Sequence, residues 1–301
     1  MEGKKKKYLS DLSLLFVAFA WGGGFVVVKD ALDSMTPMYL MAFRFLLATI
    51  VVFLSLHRWM GKIEKKDVLK GSIVGIFLFL AFAFQTVGLQ YTTASKQGFL
   101  TATYVVMVPL IFMALYRKIP RMKVFVASLL TITGIALMVL DGGLTLNRGD
   151  LLTLVCALFF ALHIIAIEYY AKNMHVFKLA FIQIAVAAIL FVISALLFEP
   201  MPEVITGRTW GAIVYMGFVS TFACFTVQTV AQKHSPSSHV SIIMSLEAVF
   251  ATLLGVLLLN ETFTFDMIIG ASLIFAAILI IELWGVKNNS STPVNGVKEI
   301  P

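Results

Sequence analysis

A chain of 301 residues that is 60% hydrophobic and only 13% charged has too little polar surface to cover a globule. A soluble domain carries about a quarter charged residues, so the composition excludes a soluble fold and points to an all-α integral membrane protein. The net charge of +7 does not indicate a nucleic-acid partner, because the basic residues are spread over short segments between apolar runs.

The chain opens on "MEGKKKKYLSDLSLLFVAFAWGGGFVVV". Its apolar run is too long for a cleaved leader and ends without a small-residue cleavage site, so it reads as a retained first span. A bilayer needs roughly 20 apolar residues per helix. Reading from breaker to breaker predicts ten spans, at 10–29, 37–57, 68–89, 94–116, 122–140, 150–169, 176–198, 208–231, 237–259 and 264–284. "DSMTP", "RKIPR", "DGGLTLNRGD" and "EPMPE" are the turn clusters between them. The polar tail from Lys287 is expected to be disordered. Cys156 and Cys224 both fall in apolar runs, which suits small buried hydrophobes and not a disulfide or a metal site.

With both termini placed in the cytoplasm, 18 of the 23 Lys and Arg fall on the cytoplasmic side. Four (Lys29, Lys96, Arg148, Arg208) fall outside, and Arg44 lies within a span. That bias follows the positive-inside rule and requires an even number of spans.

The halves resemble each other. At an offset of 143 residues, "AFAFQTVGLQYTTAS" (81–95) lies over "CFTVQTVAQKHSPSS" (224–238), matching Gln85 with Gln228, Thr86 with Thr229 and Ser95 with Ser238. The same offset sets Tyr104 opposite Glu247. An offset of about 139 earlier in the chain sets Asp11 against Asp150, Trp21 against Phe160 and Arg44 against Gln183. Each half, 10–140 and 150–284, then holds five spans, with 285–301 left as a cytoplasmic tail. Because five is odd, the second half enters the membrane from the other side. Two inverted five-helix repeats are an arrangement typical of secondary transporters, with a midplane site between the halves.

Several stretches resemble the drug/metabolite transporter superfamily, specifically its EamA-type ten-helix carriers. They are "AWGGGFVVVKDAL", "TPMYLMAFRFLLA", "FQTVGLQYTTASKQGFLTATYVVMVPL" and "SLEAVFATLLGVLLLNETFT". In one departure, the proline that often follows the ninth-helix glutamate is Ala248 here, so a kink at that point is not expected from sequence. The resemblance implies a carrier of small organic metabolites, often an exporter of amino acids or related compounds, working by alternating access. It also implies a multi-pass protein of the cytoplasmic membrane, in a bacterial cell. The resemblance names no substrate.

Ionisable and polar residues at membrane depth are the candidate site residues. Glu247, in the middle of predicted helix nine, either contacts substrate or a coupling proton, or braces the bundle by bonding to neighbouring helices. Tyr104 lies at the same depth and suits a cavity wall. Arg44 either grips a carboxylate, pairs with a buried acid such as Glu247, or caps a broken helix. Gln85 and Gln228 either line gates or hydrogen-bond between helices. His163 and Gln183 sit at the inner half of helices six and seven, where a lone histidine is more often a packed, hydrogen-bonded one. Trp21 is a packing aromatic near the same depth, Lys96 and His239 start matching helices and are expected to snorkel, and Glu261 is expected to be a solvated loop residue. Gly22-Gly23-Gly24 interrupts helix one, either for close packing or for a bend.

No catalytic motif, phosphate loop or Cys/His metal cluster occurs. No cofactor or nucleic acid is expected; the expected partners are a small-molecule substrate, the lipid bilayer and the proton as coupling ion. An integral-membrane enzyme and a channel are the alternatives to a carrier. Substrate, direction, coupling ion and oligomeric state stay open.

Overall fold

A computed structural model describes residues 2–117, 122–139, 147–259 and 265–285. Among these residues the regular structure is entirely helical. Eight helical runs are long and apolar enough to cross a membrane: Tyr8–Ala31, Pro37–Met60, Lys65–Leu89, Ala94–Leu115, Arg148–Ala171, Val176–Phe198, Gly207–Gln232 and Ser237–Leu259. The other two predicted spans fall on helices whose apolar stretches, Met122–Gly134 and Ile268–Ala277, are shorter. Lys118, Arg121, Glu261 and the tail from Lys287 lie outside the described residues.

In chain order the helices are α1 (Glu2–Ala31), α2 (Pro37–Met60), α3 (Lys65–Leu89), α4 (Ala94–Ala102), α5 (Tyr104–Tyr116), α6 (Met122–Val139), α7 (Arg148–Ala171), α8 (Val176–Phe198) and α9 (Gly207–Tyr215). A π-helical segment (Met216–Ala223) follows, then α10 (Cys224–Gln232), α11 (Ser237–Met244), α12 (Glu247–Leu259) and α13 (Phe265–Gly285). Their starts are written in the sequence. Pro37 opens α2, where its missing N–H has no helical partner to lose. Glu64 with Asp67, and Asn147 with Asp150, form reciprocal capping boxes on α3 and α7. Thr93 and Thr206 accept from the backbone N–H of Lys96 and Thr209 at the starts of α4 and α9.

Two predicted spans are broken, not continuous. Thr103 separates α4 from α5, and Ser245-Leu246 separates α11 from α12. At each break, backbone N–H groups turn to carbonyls three residues back: Thr103 to Leu100 (3.3 Å), and Leu246 to Ile243 (3.2 Å). Hydroxyls contribute too, from Thr103 Oγ1 to Leu100 O (2.6 Å) and from Ser245 Oγ to Ile242 O (2.7 Å). The second break therefore forms without the proline that Ala248 replaces, through a serine that competes for a carbonyl.

Small residues let the helices approach closely. Gly75 on α3 faces α8, where an added Cβ would lie 2.8 Å from Val186 Cβ and 2.9 Å from Gln183 O. Contrary to the expected interruption, α1 runs unbroken through Gly22-Gly23-Gly24. Gly22 instead lies flat on α12, where a Cβ would come within 2.9 Å of both Glu247 O and Ala251 N. The close-packing alternative is the one that holds, and this contact sets the position of Glu247 against α1.

Gly22→Val should therefore force α1 off α12 and lower the thermal unfolding temperature in detergent, at about 1–3 kcal/mol for overpacking. Gly211, with open space around it on α9, is the control. Gly211→Ala should be neutral or stabilising by up to about 1 kcal/mol.

Candidate functional site

The two helix breaks meet at one cavity. Tyr104 is the first residue of α5 and Glu247 the first of α12, so Glu247 stands at a helix start and not in the middle of one. A carboxylate there benefits from the helix dipole. Both side chains are buried and close enough to interact, yet neither Tyr104 Oη nor Glu247 Oε1 has a hydrogen-bond partner. The cavity they line holds ≈ 550 Å³ of empty space, its open mouth included. Trp21, Phe25, Phe82, Phe160 and Ile164 give it apolar walls. Arg44, Gln85, Ser220 and Gln228 add polar groups.

Arg44 is buried at 2% exposure, and its donors are engaged. Nε donates to Thr221 Oγ1 (2.6 Å), Nη2 to Ser220 Oγ (3.1 Å), and Nη1 points at Met41 Sδ (3.9 Å). Its Cζ lies 4.4 Å from the Phe82 ring centroid, a cation–π distance. The direct pair with Glu247 weighed from sequence does not form. Arg44 docks on the π-helical segment instead, close to the role of capping an irregular helix. The same segment receives Trp21, whose Nε1 donates to Ser220 O at 2.8 Å while its ring lies against Phe225. A π turn displaces groups from the regular helical ladder, and such segments concentrate at functional sites.

Gln85 and Gln228 both line the cavity but differ in their bonding. Gln85 Nε2 donates to Thr101 Oγ1 (3.2 Å) across to α4. The Gln228 side chain is 0% exposed, and neither its Nε2 nor its Oε1 has a hydrogen-bond partner. His163 and Gln183 are brought together elsewhere, outside the cavity lining. Gln183 Nε2 donates to Thr229 Oγ1 (3.0 Å), which turns Gln183 Oε1 toward His163 Nε2 (2.8 Å). His163 Nε2 is then the donor in a buried structural contact, as expected for a lone packed histidine.

Lys96 and His239 do not snorkel. Lys96 Nζ pairs with Asp150 Oδ2 at 2.7 Å, and His239 Nε2 meets Asp11 Oδ1 at 2.8 Å. Asp150 is 0% exposed and also accepts from Thr92 Oγ1 (3.0 Å) and Asn147 N (2.9 Å). The two contacts lie at opposite ends of the bundle. Lys29, which donates to Leu89 O and Thr92 O beside Asp150, is eighteen residues beyond Asp11 on α1, a distance of about 27 Å along a helix. Sequence reasoning noted Asp11 and Asp150 as repeat mates but missed these partnerships. Superposing the two offsets would have found them, since each aspartate meets the repeat mate of the other's partner. Ser220 and Thr221 had no such signal. Among the described residues, no three His, Cys, Asp or Glu side chains group to hold a metal ion.

An archaeal relative from Archaeoglobus fulgidus, named "Uncharacterized transporter", is 37% identical over 94% of this chain and 88% of its own length. "Uncharacterized transporter YetK" of Bacillus subtilis is 25% identical over 91% of this chain and 87% of its own. A solved structure described as "Crystal structure of protein" shares the fold, with a TM-score of 0.75 over 94% of this chain and 99% of its own at 18% identity. The model of the EamA-like transporter family matches twice, over residues 9–140 and 147–283. The chain therefore belongs to the EamA-like transporter family, a multi-pass membrane protein of the drug/metabolite transporter type.

Proposed function

We propose that the protein is a secondary transporter that moves a small organic metabolite across the cytoplasmic membrane by alternating access, with amino acids and related compounds as the first cargo to test and export as the direction. In this reading, ten helices form two inverted five-helix repeats (10–140 and 150–284) that rock about the cavity, with both termini and the tail at 285–301 cytoplasmic. The observation that carries it is a set of four repeat-mate pairs in the cavity wall. Trp21 faces the cavity with Phe160, Phe25 with Ile164, Gln85 with Gln228, and Tyr104 with Glu247. A cavity shared in this way lies on the axis that relates the halves, where such carriers hold their cargo.

Three further observations support the reading. The helix boundaries Leu89, Ala94, Tyr104 and Tyr116 recur 143 residues later as Gln232, Ser237, Glu247 and Leu259. α1 starts at the end of the bundle where Asp11 meets His239, whereas α7 starts at the end where Asp150 meets Lys96, which suits inversion. Each of these contacts joins the first helix of one half to the fourth of the other, as a latch would. Opening one end breaks its latch while the other holds. Glu247, buried without a partner for Oε1, is the group we assign to the coupling proton, with Tyr104 beside it.

Reconstituted protein should give a saturable flux with counterflow; unsaturable conductance would mean a channel. In a Cys156→Ala, Cys224→Ala background, Leu89→Cys and Gln232→Cys report on the two ends. Reagent access at one should rise as it falls at the other, and Lys96→Met should favour Leu89→Cys labelling. Parallel rises and falls at both positions would exclude rocking. Glu247→Gln should abolish proton-driven accumulation yet keep counterflow exchange. Accumulation driven by a proton gradient in that variant would remove the coupling role.

A further inference from the structure

Gln228 is among the residues of the cavity wall, and the two halves differ in how this shared glutamine is satisfied. In the first half the equivalent glutamine is held by a polar network. Gln85 Nε2 donates to Thr101 Oγ1, and the fully buried Gln97 donates Nε2 to the backbone carbonyl of Gln85 at 2.8 Å. Gln97 Oε1 in turn accepts from Thr153 Oγ1 at 2.9 Å. The repeat mates of Thr101, Gln97 and Thr153 are Met244, Val240 and Leu14. None of these can hold an amide. The surroundings of Gln228 thus lack every side chain of that network, yet the glutamine is kept, buried at 0% exposure among the residues that line the cavity and with both amide atoms unpartnered.

Leaving one buried polar group unsatisfied costs about 1–3 kcal/mol, and a carboxamide carries two. A methionine or leucine of similar volume would remove that penalty. We infer that Gln228 reads the cargo, through a paired hydrogen bond to a molecule that presents an acceptor and an N–H donor side by side, as a primary carboxamide or a lactam does. The Gln228 N–H donates to the cargo carbonyl and the Gln228 carbonyl accepts the cargo N–H. The apolar body of the cargo lies against Trp21, Phe82 and Phe160, which line the same cavity. A site built to pair both groups rejects an analogue that lacks one of them, because its own amide is left unpaired again.

This deepens the carrier reading, on which it rests for access to the cavity. The test is made at equilibrium on the purified full-length chain in detergent, without transport, so its failure would leave the rocking and counterflow results standing. The probes are nicotinamide and 2-pyrrolidinone, each set against its N-methylated form, N,N-dimethylnicotinamide and N-methyl-2-pyrrolidinone. At about ten times its dissociation constant, an edge-bearing probe should raise the unfolding temperature by about 2–4 °C, and the methylated form should not. Gln228→Met should unfold at a higher temperature than the parent and lose the probe-dependent shift, whereas Gly211→Ala, away from the cavity, should keep it. Equal shifts from a probe and its methylated form, a shift that survives Gln228→Met, or no shift from either edge-bearing probe would overturn the assignment. The last result would mean that water satisfies the amide.

Discussion

Every departure from helical regularity inside a bilayer must be answered by the protein itself, because lipid offers no hydrogen bonds. The structure concentrates its departures where they can be answered together. The breaks at Thr103 and at Ser245-Leu246 are repaired by three-residue turns and hydroxyl bonds. The π-helical segment is met by Arg44 and Trp21. All of these features border one cavity. Gly22 then fixes the second break in place, because α12 can approach α1 only where no Cβ intervenes. The location of Glu247 follows from this packing: it is the first side chain past a break that α1 presses against.

The fold was largely legible because its signals are long. Runs of about twenty apolar residues, bounded by Pro37, Gly61 and the capping boxes at Glu64 and Asn147, survive any uncertainty in individual positions. Of the residues singled out in the sequence, Trp21, Arg44, Gln85, Tyr104, Gln228 and Glu247 line the one cavity. His163 and Gln183 do not line it and bond to each other instead. A helix places residues on all sides at each level, and in spans this uniformly apolar no hydrophobic face reveals which side is inward. The break ahead of Glu247 was hidden for a related reason. Sequence signals for kinks are dominated by proline, whereas Ser245 acts through a carbonyl three residues back. Arg44's partners were hidden too, since Ser and Thr in an apolar run give no sign of a π turn.

The repeat is better preserved in its backbone than in its side chains. Helix boundaries recur at a constant offset, while Tyr104 has become Glu247, Arg44 has become Gln183, and Gln97 has become Val240. Backbone geometry has to be shared if two halves are to exchange roles during rocking. Side chains at the axis have the opposite requirement, because an asymmetric small molecule cannot satisfy two identical half-sites at once. The acid, the unpartnered amide and the π-helical segment lie in the second half, while Gln85 in the first bonds to Thr101.

The same logic bears on the energetics of the two ends. A buried ion pair that loses one partner costs about 3–5 kcal/mol, enough by itself to hold a carrier in one state. Here each end has a contact to an aspartate, and the two are repeat mates: Asp150 pairs with Lys96, and Asp11 meets His239. If rocking opens one end at a time, the penalty at the opening end is incurred in both states and cancels to the extent that the contacts match.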